Sequence, residues 1–145
     1  FKTWWQGDAV PQADRRWMTP TRIPRYYSER AYVPYHYGIY RDQIIQWVPE
    51  GKVSAHARGV NDSSIAIGII RDMRSDDPLG QEESQTLANL ITYICLRHPG
   101  IEVLTHDQVR AKRGKGPKPC PGVDVSQSVS WATLRARIML QRNRR

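Results

Sequence analysis

The chain is 145 residues long, 39% hydrophobic and 25% charged, the composition of a compact globular domain with enough length to bury a core unaided. No apolar run approaches the ~20 residues that cross a bilayer as a helix, and two cysteines are too few for a disulfide framework, so a helical membrane protein and a disulfide-stapled scaffold are both excluded. Twenty-two Lys and Arg against 14 Asp and Glu leave a net charge of +8, which favours a polyanionic partner: nucleic acid, an anionic membrane surface or an acidic cell-wall polymer.

The sequence starts at Phe1 rather than Met, so a removed leader or further upstream sequence is expected. Lys2, Asp8 and Arg15 interrupt any apolar core, and the N-terminal stretch itself carries no signal-peptide pattern. Residues 1–20 mix Trp4, Trp5 and Trp17 with prolines and charges, which reads as an edge strand followed by an irregular segment. Thr21 to Tyr32 is a predicted helix, capped by Thr21, with Pro24 in the first turn where a missing N–H costs little. Tyr35 to Tyr40 and Gln43 to Val48 are aromatic and β-branched, and the two-residue gap Arg41-Asp42 predicts a hairpin. Ser64 to Ile70 is nearly all apolar, as expected of a central strand buried on both faces.

Arg71 to Gly80 reads as a polar loop. Gln81 to His98 is the clearest helix: Leu87, Leu90, Ile91, Ile94 and Cys95 keep the helical rhythm, Glu82 and Glu83 sit at its positive end, and Pro99-Gly100 stops it. Ile101 to Thr105 is expected as a short strand, and Arg110 to Gly122 as a Gly-, Pro- and Lys-rich loop. Ser128 to Asn143 is a last predicted helix with Trp131, Leu134 and Ile138 on one face and arginines at its end. Strands alternate with helices, so the fold class is α/β, with a central mixed sheet flanked by helices. Neither an internal repeat nor a second domain is visible. A single domain is expected over 1–145, with an irregular N-terminal segment at 1–20 and a basic C-terminal helix at 128–145.

Four histidines and two cysteines carry the potential chemistry. His98 ends a helix, where an imidazole can bond the last carbonyls. His36, within a strand, reads as a satisfied core histidine, and Cys95 as core. His106 follows the expected strand Ile101 to Thr105, and chemistry in α/β proteins gathers at the carboxyl ends of strands. Fourteen positions on, Cys120 is held between Pro119 and Pro121. An imidazole and a thiolate joined by a loop can share one tetrahedral zinc; the alternative is a loop thiol beside a surface histidine.

Five segments, in order from Tyr35 to Asp124, carry a resemblance. Tyr35-His36-Tyr37-Gly38-Ile39-Tyr40-Arg41-Asp42 resembles the strand and turn of the zinc amidases that cleave peptidoglycan, a family that includes phage endolysins and peptidoglycan recognition proteins. Ser54-Ala55-His56-Ala57-Arg58-Gly59-Val60-Asn61 is similar to its Gly-Ala-His-Ala segment. Asn61 to Ile70 is similar to its Asn-x-x-Ser-Ile-Gly-Ile strand, with Ala66 at a usual glycine. Thr105-His106-Asp107 resembles its Gly-His-Arg-Asp motif, and Lys118-Pro119-Cys120-Pro121-Gly122-Val123-Asp124 its Lys-x-Cys-Pro-Gly-Phe-Asp. The resemblance implies that 1–145 is an amidase-like domain in which His106 and Cys120 bind Zn2+. It also implies that Lys118 and Tyr35 assist catalysis and that His56 and Asn61 line the substrate groove. Without it, Lys118 is one solvated charge in a basic loop and Tyr35 is strand packing.

The family's first ligand is a histidine on an early strand. Phe1-Lys2-Thr3-Trp4-Trp5-Gln6-Gly7-Asp8 is similar to the His-Trp-Trp-Gly-Asp version of some phage endolysins, which puts Thr3 at that position. A threonine hydroxyl is a poor zinc ligand. Either the histidine lies upstream of Phe1, or the site is degraded and the domain binds peptidoglycan without cutting it.

The resemblance thus implies a zinc-dependent N-acetylmuramoyl-L-alanine amidase: a bacteriolytic endolysin acting in the periplasm or at the cell wall, phage-encoded or secreted. Peptidoglycan is the expected partner of a monomeric chain, without membrane insertion. A peptidoglycan-binding module is the second reading. Nucleic-acid binding, suggested by +8 and by Arg142, Arg144 and Arg145, is not expected, because aromatics do not interleave with the basic runs. A cysteine hydrolase using Cys120 and His106 is a further alternative.

Overall fold

The computed structural model describes residues 35–51, 53–54, 56–71, 77–116 and 119–144. The expected N-terminal edge strand, the helix Thr21 to Tyr32, Thr3 and Lys118 lie outside the described residues. The chain divides into two compact units, Phe1–Ser75 and Asp76–Arg145. Strands in the first and helices in the second make up the α/β complement expected from the sequence.

In the first unit, β1 (Tyr37–Tyr40) and β2 (Gln43–Gln46) form the expected hairpin, antiparallel with Tyr40 opposite Gln43 and Tyr37 opposite Gln46. Arg41 turns the corner with φ 54°. A third strand, β3 (Ile67–Ile69), runs parallel to β1, so the sheet is mixed, in the order β2-β1-β3. Within the strand expected over Ser64 to Ile70, the paired stretch is shorter than predicted. Among the described residues, three of that run pair in the sheet, and Ile67 and Ile69 are half-buried. Among the described strands, β1 has a hydrogen-bonding neighbour on each side. The first half of the apolar run is diverted: the Ala66 carbonyl accepts from the amides of His36 and Tyr37, both at 3.0 Å.

Ile45, Trp47 and Ile70 form one buried apolar cluster of this unit, with Tyr35, Tyr40 and Val48 packed against them. Each fully buried isoleucine contributes about 1.5–3 kcal/mol relative to exposure. Two close approaches depend on glycine. A Cβ on Gly38 would sit 2.7 Å from Trp47 Cζ3, and one on Gly68 would sit 3.0 Å from Tyr35 Cδ2. Glycine in β1 thus makes room for the tryptophan, and glycine in β3 for the tyrosine ring.

In the second unit, α1 (Gln81–Arg97) buries the expected face of Leu87, Leu90, Ile91, Ile94 and Cys95. Burial pushes the Cys95 thiol up from its ordinary pKa. The helix is closed by the main-chain N–H of His98, which donates to the Ile94 carbonyl at 2.9 Å.

Ile101 to Thr105 is not a strand. It leads directly into a helix absent from the sequence reading, α2 (His106–Lys112), which occupies the first part of the expected loop. The cause is local. Thr105 Oγ1 accepts from the Gln108 amide at 3.2 Å, while Gln108 Oε1 accepts from the Thr105 amide at 2.8 Å. Such a reciprocal capping box satisfies two otherwise orphaned donors and starts a helix.

The last helix, α3 (Ser126–Asn143), begins two residues before the predicted start. Asp124 Oδ1 accepts from both the amide and the hydroxyl of Ser126, at 2.9 and 2.6 Å, and these bonds hold its carboxyl below the usual carboxylate range. α3 packs on α1 through Ser128, Ala132 and Ala136, and the Ser128 hydroxyl donates to the Ser84 carbonyl at 3.1 Å. Small residues let the two backbones approach. The larger apolar residues Trp131, Leu134 and Ile138 share one face, as predicted, but that face is exposed.

Candidate active site

In the first unit the sequence-predicted residues gather around two histidines. His36 is wholly buried, 0% exposed, and is held at three points. Its amide donates to the Ala66 carbonyl; its own carbonyl accepts from Trp47 and Val48 at 2.8 and 3.2 Å; and its Nδ1 accepts from the Ala66 amide at 3.1 Å. A main-chain N–H can only donate, so Nδ1 carries the lone pair. This is the satisfied core histidine expected from the sequence.

His56 belongs to the same network. Ser54 Oγ lies 3.1 Å from His36 Nδ1 and 2.9 Å from His56 Nδ1, and the two rings meet edge to face at 5.8 Å between centroids. On the other side His56 Nε2 lies 2.7 Å from Ser64 Oγ, whose single proton is given to the Val60 carbonyl at 2.5 Å. Ser64 must therefore accept from Nε2, and in the neutral ring Nδ1 accepts from Ser54. The tautomer of His56 is set by two serines. Asn61 supports the same loop: its Oδ1 accepts from the amides of His56 and Ala57, at 3.0 and 2.7 Å.

This arrangement holds a partly exposed imidazole in one orientation at low conformational freedom. Sequence reasoning singled out His56 and Asn61 but not Ser54 and Ser64. The available signal was the spacing Ser54-x-His56 and Asn61-x-x-Ser64, short polar side chains flanking a histidine.

Tyr35 precedes β1 and is half-buried, its ring packed against the Ile45, Trp47 and Ile70 cluster and over Gly68.

In the second unit, His106 is the first residue of α2, rather than the residue after a strand as expected. Cys120 is brought back to it by the chain. The turn after α2 is closed by the Lys115 amide donating to the Arg110 carbonyl at 3.0 Å, and the Arg110 guanidinium donates to the Gly116 carbonyl at 3.2 Å. The Asp107 amide then donates to the Cys120 carbonyl at 3.3 Å, so the backbones next to His106 and at Cys120 are joined directly. Both residues are half-buried.

An imidazole and a thiol from adjacent backbones suit zinc by donor chemistry. Among the described residues, no group of three His, Cys, Asp or Glu side chains stands close enough to hold a metal ion. The pair thus supplies two donors of the right type. Thr3, at the position expected for the third, and Lys118, expected to assist catalysis, lie outside the described residues.

The family model of N-acetylmuramoyl-L-alanine amidases matches residues 7–123, well over half of the chain. No curated protein matches it. The matched span contains every segment that carried the resemblance up to Val123, both histidines of the polar network, and the His106 and Cys120 pair. The chain belongs to the N-acetylmuramoyl-L-alanine amidase family, whose substrate class is peptidoglycan.

Proposed function

We propose that the chain is a zinc-dependent N-acetylmuramoyl-L-alanine amidase of the lytic, endolysin type. On this reading it acts as a monomeric amidase domain over 1–145, in the periplasm or at the cell wall. The observation that carries the reading is the hydrogen bond from the Asp107 amide to the Cys120 carbonyl. It joins the two chain segments whose side chains have the donor chemistry of a zinc site.

The reaction adds water across the amide between the lactyl carbonyl of N-acetylmuramic acid and the nitrogen of L-alanine. The C–N bond breaks, the carboxylate stays with the sugar, and the amine leaves with a proton. Zinc, when bound, supplies Lewis acidity toward water and the carbonyl oxygen. His106 and Cys120 would hold it. By the family resemblance, the Lys118 ammonium would stabilise the negative charge that develops on the carbonyl oxygen, and the Tyr35 hydroxyl would orient that oxygen or the attacking water. His56, fixed by Ser54 and Ser64, and Asn61 line the groove that takes the glycopeptide.

Metal content and muropeptide release, measured on the same preparation, test this. About one zinc per chain is expected for a single mononuclear site. Chelation should abolish the release of peptides with a free L-alanine terminus, and added zinc should restore it. His106→Ala and Cys120→Ser should each lose zinc and lower activity more than about a hundredfold, beyond the 10- to 100-fold typical of residues behind the ligands. A folded, zinc-free chain that releases no muropeptide would overturn the proposal. The second reading, a module that binds peptidoglycan without cutting it, is favoured by Thr3 at the expected ligand position. Wall binding without hydrolysis, unchanged by zinc, would select it.

A further inference from the structure

The C-terminal helix α3 has two faces of opposite character. One, Ser128, Ala132 and Ala136, is buried. The other follows i, i+3, i+4, i+7, i+8 and i+11 spacing: Trp131, Leu134, Arg135, Ile138, Met139 and Arg142 line one shallow groove along the helix. Trp131 is 49% exposed, Leu134 55% and Ile138 41%. Large apolar side chains at that spacing normally form the buried stripe of a helix, yet here alanine and serine take that place.

The charge pattern is equally one-sided. From Ser126 to Asn143 the helix has no acidic residue, while Arg135, Arg137 and Arg142 lie within it and Arg144 follows. The Arg135 guanidinium is stacked over the Trp131 ring at 4.9 Å and donates to Asn89 Oδ1 at 3.1 Å. Tryptophan and arginine are therefore pre-arranged side by side on the same face as the apolar residues.

We propose that this face of α3 docks the protein in the plane of an anionic lipid surface. The aliphatic stripe enters the acyl boundary, Trp131 sits at headgroup depth, and the arginines pair with lipid phosphates. An exposed apolar stripe that carries a tryptophan, among arginines whose long apolar stems let the charged heads reach up to the headgroups, is a combination that holds a helix at such an interface. Charge separates this occupant from the others. A second copy seated on the same face would bring Arg135 and Arg142 of two chains together, a like-charge contact that an anionic surface replaces with attraction. A nucleic-acid backbone would satisfy the arginines but leave Leu134 and Ile138 nothing to bury against. This is surface docking, not spanning: among the described residues no helix is long and apolar enough to cross a membrane.

The test is co-sedimentation of the full chain with vesicles of phosphatidylcholine containing about a quarter phosphatidylglycerol, against pure phosphatidylcholine, at physiological salt. The intact chain should sediment with the anionic vesicles and not with the neutral ones. Leu134→Ser with Ile138→Ser, both at exposed positions, should weaken binding about tenfold or more by removing the apolar term. Arg135→Gln with Arg142→Gln should weaken it similarly and reduce its salt dependence. Circular dichroism melting should show each pair of changes leaving the fold intact. Binding that survives the serine pair unchanged would overturn docking by this face. A concentration-dependent dimer that the serine pair renders monomeric would assign the face to a second copy and overturn the proposal. So would duplex DNA binding without vesicle binding.

Discussion

One oxygen atom of Asn61 satisfies two backbone amides, those of His56 and Ala57. Asn61→Ala removes the acceptor and leaves two donors unpaired, each costing about 1–3 kcal/mol where it is shielded from water. Asn61→Asp keeps an acceptor in the same place. Thermal melts should therefore show a clear loss for alanine and a small one for aspartate, and peptidoglycan affinity should follow the same order. Asp124 offers a residue-scale test with pH. Its hydrogen bonds from Ser126 lower its folded pKa, so its contribution is present at neutral pH and is lost as pH falls through that lowered value. Asp124→Asn retains an acceptor without the charge. The acid side of its pH–stability curve should be flatter than that of the parent, measured by denaturant unfolding from neutral pH downward. The side chains of His56, Asn61 and Cys120 were legible from the sequence because their motifs lie within short segments. Ser54 and Ser64 were not, since a serine becomes a partner only when folding brings it to a ring nitrogen.

Two elements depend on fits a single residue can break. Gly38 in β1 faces Trp47, whose Cη2 and Cζ3 ring atoms an added Cβ would overlap, with Ile70 Cδ1 at 3.0 Å. The tryptophan is buried and cannot swing away freely, so Gly38→Ala should destabilise by about 1–3 kcal/mol, the range for overpacking. Equilibrium unfolding will show whether it does. α2 rests on its capping box: Thr105→Ala should cost about 1 kcal/mol, the usual value of an N-cap. If His106 binds zinc, the same change should weaken metal affinity measured by competition with a chelator, because His106 is the first residue the cap positions. The pattern Thr105-x-x-Gln108 was present in the sequence, yet the Gly- and Lys-rich residues after it suggested a loop throughout. The apolar run Ser64 to Ile70 gives a paired stretch of only Ile67–Ile69 among the described residues. Hydrophobicity reports that a segment is covered, not how many strands pair beside it.

At the scale of the whole molecule, the net charge of +8 favours association with anionic surfaces, and on the proposed function that surface is the cell wall. Sedimentation with isolated cell walls should show binding several-fold weaker at 0.5 M salt than at 0.05 M, as screening shortens the reach of surface charge from roughly 14 to 4 Å. Walls stripped of their anionic polymers should show little salt dependence. By itself the sequence determined the α/β class, the hairpin, the packed face of α1 and the amidase family. Each of these is written locally, in periodicity, turn residues and contiguous motifs. Tertiary structure alone decided that β3 pairs parallel to β1, that two serines set the His56 tautomer, and that α3 packs through its small residues and exposes its large ones. Periodicity identifies the apolar faces of a helix, but which face is covered depends on the shape of the neighbour, and on α1 close approach favours alanine and serine over tryptophan and leucine.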